Sequence, residues 1–269
     1  MSHLTLPPIG LGTWENDDPD QCRESVKNAI EMGYRHIDTA RFYQNESAVG
    51  AGIAAADVGR DDIFLASKVH PFAEGLSYTD VIEGFEKSLS LLEVSYLDLL
   101  YIHWPVGDYN PTETLAAFDD LVQDGRLGHV GVSNFDIQLV EEAMEVLDAP
   151  LFANQVERHP LLPREDLLEH AQMNEYTLVS YSPLARGNAL SASPIQAIAR
   201  ERDVSPASVT LAWVTDPEAV VAIPKATGAD HLIDNLHAGE LRLTAGEIER
   251  INDTRGRERF VDRDGAPWH

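Results

Sequence analysis

Short apolar runs alternate with stretches whose apolar residues recur at helical spacing, and the cycle repeats about eight times. The runs predict strands at Ile9–Thr13, Arg35–Asp38, Ile63–Lys68, Leu97–His103, Val130–Ser133, Leu151–Val156, Thr177–Tyr181 and Ala219–Ile223. The intervening spacing predicts helices at Asp20–Met32, Ser47–Ala56, Asp80–Leu92, Thr112–Asp124, Ile137–Leu147, Arg164–Asn174, Pro194–Arg202, Pro206–Val214, Ala229–Leu236 and Ala245–Arg255. The clearest is Asp80–Leu92, where Val81, Phe85, Leu89 and Leu92 share one face. Leu97–His103 is a continuous apolar run, as expected of a strand buried on both sides. Gly33 and Gly125 stop helices, and Pro163 stands just before one.

Strict alternation of strand and helix implies a parallel sheet, and eight units suit a closed (β/α)8 barrel. No internal repeat, low-complexity tract or linker divides the chain. Residues 1–269 are therefore expected to form one α/β barrel domain, a length such barrels reach.

Composition narrows the function. The net charge is −25, with no basic stripe that could displace phosphate counterions, so nucleic acid is not an expected partner. Only four lysines occur, Lys27, Lys68, Lys87 and Lys225, against sixteen arginines. So large a charge favours solubility, and its self-repulsion would be relieved at high salt, where the Debye length falls to ~3 Å. Adaptation to concentrated salt is the expectation. Cys22 is the single cysteine, which excludes an intrachain disulfide and Cys-rich zinc sites; a structural thiol on a helix is expected there. The N-terminus lacks signal-peptide features, and no apolar run approaches the ~18 residues of a membrane span. A cytoplasmic, metal-free protein is the expectation.

Barrel enzymes carry their chemistry at the C-terminal ends of the strands. Those positions here are Thr13 and Trp14, Asp38 followed by Tyr43, Lys68, His103 and Trp104, Ser133 and Asn134, Gln155, Tyr181, and Pro224 and Lys225. Capping would account for Ser133 and Asn134 alone, and a helix cap for Asp38. It does not account for a scarce lysine after the buried-looking run Ile63–Ser67, or for a histidine at the end of an apolar strand. A free tyrosine, with a pKa of ~10, is a weak acid near neutrality. A neighbouring ammonium lowers that value, and an aspartate holding the ammonium tempers the shift and fixes the geometry. A neutral histidine can hydrogen-bond an oxygen under attack. Together these groups suit protonating a carbonyl oxygen while a cofactor delivers hydride to carbon.

The motifs Gly12-Thr-Trp14, Tyr34-Arg-His-Ile-Asp38, Tyr43 with Asn45-Glu46, Ser67-Lys-Val69, Leu97 to Pro105, Gly131-Val-Ser-Asn-Phe135, Asn154-Gln-Val-Glu157, Tyr181-Ser-Pro-Leu184 and Ile223-Pro-Lys225 occur in one order and spacing. From Gly10 to about Asn235 the chain resembles the aldo-keto reductases, most of all the prokaryotic 2,5-diketo-gluconate reductase branch. The resemblance implies a catalytic tetrad of Asp38, Tyr43, Lys68 and His103, with Tyr43 as proton donor. It implies an NADP(H) site in which Ser133, Asn134 and Gln155 hold the carboxamide and Tyr181 stacks on the nicotinamide. Thr13 and Asp38 would stand at its reactive end, and Ser182, Pro183, Leu184 and Gly187 along the pyrophosphate. Pro224, Lys225, Ala226, Thr227, His231, Asp234 and Asn235 would surround the adenosine. Trp14, Phe72, His103 and Trp104 would wall the cleft for a small carbonyl substrate. A monomer is the family expectation.

Three positions depart from the family pattern. Ala226 and His231 stand where serine and arginine are usual, so a bidentate, permanently charged group gives way to one mostly neutral near pH 7. NADPH becomes a preference, with NAD(H) also admissible. Arg158 stands where an aromatic residue is frequent. Two other functions share such a barrel. One is a nicotinamide-binding sensor with little turnover, against which the intact tetrad argues; the other is a phosphosugar isomerase or lyase. Finally, Gly50-Ala-Gly52-Ile-Ala-Ala55 fits the dinucleotide fingerprint but falls inside a predicted helix, so close helix packing is expected of it.

Overall fold

The computed structural model describes residues 6–254 and 257–269. Eight parallel strands pair in sequence order: β1 (Leu11–Gly12), β2 (His36–Asp38), β3 (Phe64–Val69), β4 (Leu97–Ile102), β5 (Leu127–Ser133), β6 (Leu151–Glu157), β7 (Thr177–Tyr181) and β8 (Val220–Ala222). The sheet closes on itself. Ile9 bridges Ala222 and Gly12 bridges Lys225, with Gly10 donating to the Ala222 carbonyl at 2.8 Å. The chain is a single (β/α)8 barrel.

The helices are α1 (Pro19–Met32), α2 (Glu46–Ala55), α3 (Tyr78–Leu92), α4 (Pro111–Gln123), α5 (Ile137–Val146), α6 (Glu165–Met173), α7 (Ser193–Arg202), α8 (Pro206–Thr215), α9 (Ala229–Ala238) and α10 (Ala245–Asn252). Most begin where side chains take up first-turn amides. Asp18, Asn110 and Asp136 cap α1, α4 and α5, and Ser77 with Asp80 forms a capping box that starts α3 ahead of its apolar stripe. Sequence and structure agree at both ends of β7, most other bounds move by one or two residues, and β5 starts at Leu127, three residues before the expected Val130. Arg164 and Ala219 are left-handed (φ 49° and 62°), so α6 and β8 start one residue later than the apolar pattern implied. The expected end of the last helix, Arg255, lies outside the described residues. Among them, no helix is long and apolar enough to cross a membrane.

Two apolar layers result. The outer one lies between strands and helices, where Cys22, Val26, Ile30, Phe85 and Phe118 are buried. Cys22 is fully enclosed, and burial pushes its thiol up to about 11, which fits a structural role. The inner layer fills the barrel with Ala66, Leu99, Tyr101, Ala153, Val179 and Val221. At the N-terminal end of the strands it is floored by Phe64, Phe152, His129 and His36, with His129 stacked on Phe152 at 4.2 Å. The glycine pair of the false fingerprint is explained by contact. A Cβ on Gly50 would sit 2.3 Å from the Leu92 carbonyl oxygen, and one on Gly52 2.8 Å from the Arg23 carbonyl oxygen. Both glycines let α2 pack closely on its neighbours.

Candidate active site

The strand pleat sends alternate residues into the barrel, so chemistry appears where the inner layer reaches the strand ends. On β3 the inward series Phe64, Ala66 ends at Lys68; on β4 the series Leu99, Tyr101 ends at His103. Asp38 is the last residue of β2. Beyond it a single 3-10 turn, Arg41–Tyr43, brings the tyrosine back over the strand ends. Asn45 anchors that turn by donating to the Thr13 carbonyl at 2.8 Å and accepting from the Thr39 hydroxyl at 3.2 Å. Arg41 adds contacts to Glu46 (3.4 Å) and Glu74 (3.3 Å).

Lys68 is fully buried. Its ammonium donates to the Asp38 carboxylate and, at 2.7 Å, to the Thr39 carbonyl, and lies 5.0 Å from the centroid of the Tyr43 ring. Asp38 accepts a second bond from the Gln155 amide at 2.7 Å, so its position is fixed from two sides. His103 meets Tyr43 edge-on at 5.6 Å between ring centroids. The four residues expected to form the tetrad thus stand together at one barrel mouth.

Burial dominates the electrostatics. It lowers Lys68, with Asp38 opposing the fall, and drives His103 well below its usual range, with Lys68 adding to that drop. His103 is therefore neutral and able to donate a hydrogen bond. Burial and the Asp38 carboxylate hold the Tyr43 phenol well above 10. This corrects the expectation of a depressed tyrosine: Lys68 is matched by Asp38 and does not outweigh desolvation.

A cavity of about 320 Å3 opens above these groups and is lined by Thr13, Trp14, Asp38, Tyr43, His103, Trp104, Asn134, Gln155, Tyr181, Ser182, Pro183 and Lys225, among others. Tyr181 donates to the Asn134 Oδ1 at 2.7 Å, and the Asn134 amide nitrogen donates to the His103 carbonyl at 3.0 Å. Ser133 donates to the Gln155 carbonyl. After β7 the chain coils tightly, with Ser182, Ala185, Arg186 and Gly187 all left-handed. Of the residues expected at the adenosine end, Lys225 and His231 are exposed, Thr227 is half-buried, and Pro224, Ala226 and Asn235 are buried. The Asp234 carboxylate is occupied by Ser205 (2.6 Å) and Ser208 (2.9 Å) at the start of α8.

The profile of the Aldo/keto reductase family matches residues 8–255. The chain belongs to the aldo-keto reductase family. It is 36% identical over 249 residues to the glyoxal reductase of Bacillus subtilis (strain 168), covering 93% of this chain and 89% of that one. It is also 36% identical over 265 residues to the methylglyoxal reductase DkgB of Escherichia coli O157:H7, covering 97% and 98%. Among solved structures, a provisionally named 2,5-diketo-D-gluconic acid reductase B superposes with a TM-score of 0.92 at 30% identity, covering 97% of this chain and 92% of that one. An aldo-keto reductase from a Medee basin deep-sea metagenome library superposes at 0.90 with 31% identity, covering 96% and 94%.

In this aldo-keto reductase the substrate side differs from the sequence expectation. Trp14 and Trp104 line the cavity as expected, Trp14 beside Tyr43 at 4.8 Å. Phe72 does not line it; 64% exposed, it stands at the lip against His70. Further wall comes from groups that the strand ends did not point to: Phe42, His70 and Arg186, and Phe260, Val261, Asp262 and Arg263 of the C-terminal tail. Glu157, at the end of β6, ties that tail down by accepting from the Phe260 and Val261 amides at 2.8 and 3.1 Å. Trp268 closes the arrangement against Trp104 at 5.6 Å. Alternation along the strands was the available signal: His70 continues the inward series of Lys68, and Glu157 that of Gln155. Arg158 is now interpretable as a brace. Its guanidinium donates to the Pro163 and Val214 carbonyls and stacks on Trp213 at 4.8 Å.

Proposed function

We propose that the chain is a carbonyl reductase that uses NADPH in preference to NADH to convert a small aldehyde or ketone to the alcohol. The observation that carries this reading is the fully buried Lys68 ammonium, held by Asp38 and the Thr39 carbonyl beneath the Tyr43 ring and opposite a neutral His103. A bound nicotinamide cofactor supplies hydride to the carbonyl carbon. Tyr43 gives its phenolic proton to the oxygen as the carbonyl electron pair moves there. Lys68 stabilises the phenolate left behind, and His103 orients the oxygen by hydrogen bonding. The reverse sequence oxidises an alcohol.

The cofactor fits the polar set above the tetrad. Ser133, Asn134 and Gln155 would hold its carboxamide and Tyr181 would face its ring, with Ser182, Pro183, Leu184 and Gly187 along the pyrophosphate. The first turn of α9 has no side-chain cap on Gly228, which leaves amides for an anion near Lys225, Thr227 and His231. Ala226 and His231 make a weaker clamp for a 2′-phosphate than serine and arginine, so the preference for NADPH is modest. The charge of −25 with sixteen arginines fits work in concentrated salt.

Loss of absorbance at 340 nm with a carbonyl panel tests the reading, with NADPH and NADH in parallel from low to multimolar KCl. Consumption with NADPH that rises with salt is the expected result. Tight cofactor binding without consumption at any salt would replace the reductase by a nicotinamide sensor.

A further inference from the structure

His70 and Arg263 meet at the cavity wall in a way that neither can satisfy for the other. Arg263 Nη1 lies 2.7 Å from His70 Nε2, and the Phe72 amide nitrogen lies 3.2 Å from His70 Nδ1, with its N–H directed at that nitrogen. A neutral imidazole has one N–H and one acceptor nitrogen. If Nδ1 accepts from Phe72, Nε2 carries the hydrogen and faces Arg263 donor to donor. If Nε2 accepts from Arg263, the clash moves to the Phe72 amide. Protonation would make both contacts repulsive, and burial with the Arg263 charge holds His70 at about 4. The pair is one acceptor short.

Arg263 needs an anion for a second reason. Among the described residues no carboxylate lies within ion-pair distance of its guanidinium. Three aromatic faces surround it instead, Trp104 at 5.2 Å, Phe42 at 5.5 Å and Phe72 at 5.7 Å. Such faces orient a planar cation while leaving its donors available. In a chain rich in acidic residues, a half-buried arginine without a carboxylate at the reactive cavity is a placed charge.

We propose that Arg263 and the Nε2–H of His70 together form a carboxylate subsite, so that the substrate is a short oxo acid. The two carboxylate oxygens supply the missing acceptors, one for the guanidinium and one for the imidazole, while Nδ1 keeps the Phe72 amide. The location sets the length of the molecule. The His70 and His103 rings stand 5.0 Å apart, so a carbonyl placed at His103 and Tyr43 has its carboxylate only a few bonds away. The proposal rests on the reductase reading and deepens it. Arg263 and His70 bind and orient; proton transfer stays with Tyr43.

The test compares a short oxo acid, 4-oxobutanoate, with its methyl ester, in about 2 M KCl so that the negative chain is screened. The wild-type enzyme is expected to favour the acid in kcat/KM. In Arg263→Met the acid-to-ester ratio falls about 100-fold, mostly through KM, as loss of a charge-assisted bond predicts; Arg263→Lys recovers part of it. An unchanged ratio in Arg263→Met, or an ester as good as the acid in the wild type, overturns the subsite while leaving the reductase intact. A readout without turnover separates the two claims. The imidazole 15N resonances of His70 should shift to the Nε2–H form when succinate is added to the cofactor-loaded protein, and should not shift in Arg263→Met. Succinate binding at His70 with no carbonyl reduced would keep the subsite and remove the reductase. No shift in the wild type counts against the subsite.

Discussion

At the floor of the barrel, His36 is completely buried edge-on to Phe64, which in turn stacks with His129 and Phe152, and neither ring nitrogen has a hydrogen-bond partner. At the mouth, His103 and His70 are also buried, but Lys68, Asp38, Tyr43 and Arg263 stand around them and both line a cavity. Burial lowers the proton affinity of all three histidines. A perturbed histidine is therefore not a sign of function in this molecule. What separates the two ends is the neighbours. The floor surrounds its imidazole with rings and fills the space; Gly10 has no side chain because a Cβ there would lie 2.5 Å from His36 Nδ1. The mouth surrounds its imidazoles with groups that can exchange a proton or meet a charge, and leaves room for a reactant.

The sharpest way to break this contrast is Tyr43→Phe. It should lower kcat by about a thousand-fold while cofactor still quenches tryptophan fluorescence. With Tyr43 as the proposed donor, the raised phenol pKa gives a sign for the wild type: the group stays protonated through pH 10, so reduction should not fail from its ionisation below that value, and oxidation of an alcohol through the phenolate should climb with pH. Robust activity in the variant would remove Tyr43 from the chemistry.

Asp38→Asn acts on stability at the same end. It leaves the Lys68 ammonium buried without a counter-charge, which should cost on the order of 3 kcal/mol in urea unfolding as well as activity. A variant of wild-type stability would show that Lys68 does not carry its charge in the fold.

His36→Leu tests the floor. With a folded value of about 4 against ~6.5 unfolded, His36 adds no pH-dependent cost above pH 6.5, where both states are neutral. As pH falls from 6.5 to 4 the unfolded chain takes up the proton first, and stability drops by roughly 3 kcal/mol from this group. The leucine variant should lose this contribution to the acid slope, leaving those of His70 and His103, and should keep its kcat at neutral pH. A lowered kcat would make the floor part of the machinery.

The smallest effect is expected from Glu157→Gln. Each carboxylate oxygen accepts from one amide; glutamine keeps one acceptor and turns an NH2 donor towards the other amide, a loss of about 2 kcal/mol. Hydrogen exchange at Phe260 and Val261 should quicken several-fold, the β-strand amides should not change, and KM should rise. Unchanged exchange would mean that other contacts hold the tail.

The barrel, and the residues that meet at its mouth, were legible in the sequence for one physical reason. Both are written in short range, as the period of a strand followed by a polar residue at its end. Asp38, Lys68 and His103 could be located from their own strands, and the structure brings them together because parallel strands of matched length end at one rim. The tail escaped because it has no periodicity of its own. Arg263 reaches His70 across 193 positions of sequence, and Phe260 reaches Glu157 across 103. Nothing near residue 260 in the chain announces either contact. His70 and Glu157 were legible in principle, since each extends an inward series by one more step. The phenol pKa is illegible in the sequence for a different reason: desolvation of Tyr43 and Lys68 comes from the fold around them and outweighs their pairwise attraction.

The tail that walls the cavity is joined to the barrel through few bonds and takes no part in strand pairing. Substitutions or small insertions within it leave the hydrogen-bond ladder and the Asp38–Lys68 pair untouched. Selection can therefore act on what enters the cavity almost independently of selection on the fold and the buried Asp38–Lys68 pair. A lineage carrying this barrel can exchange one diet of carbonyl compounds for another by drift in its last residues, and two members that differ chiefly there can serve different metabolisms with the same catalytic floor plan.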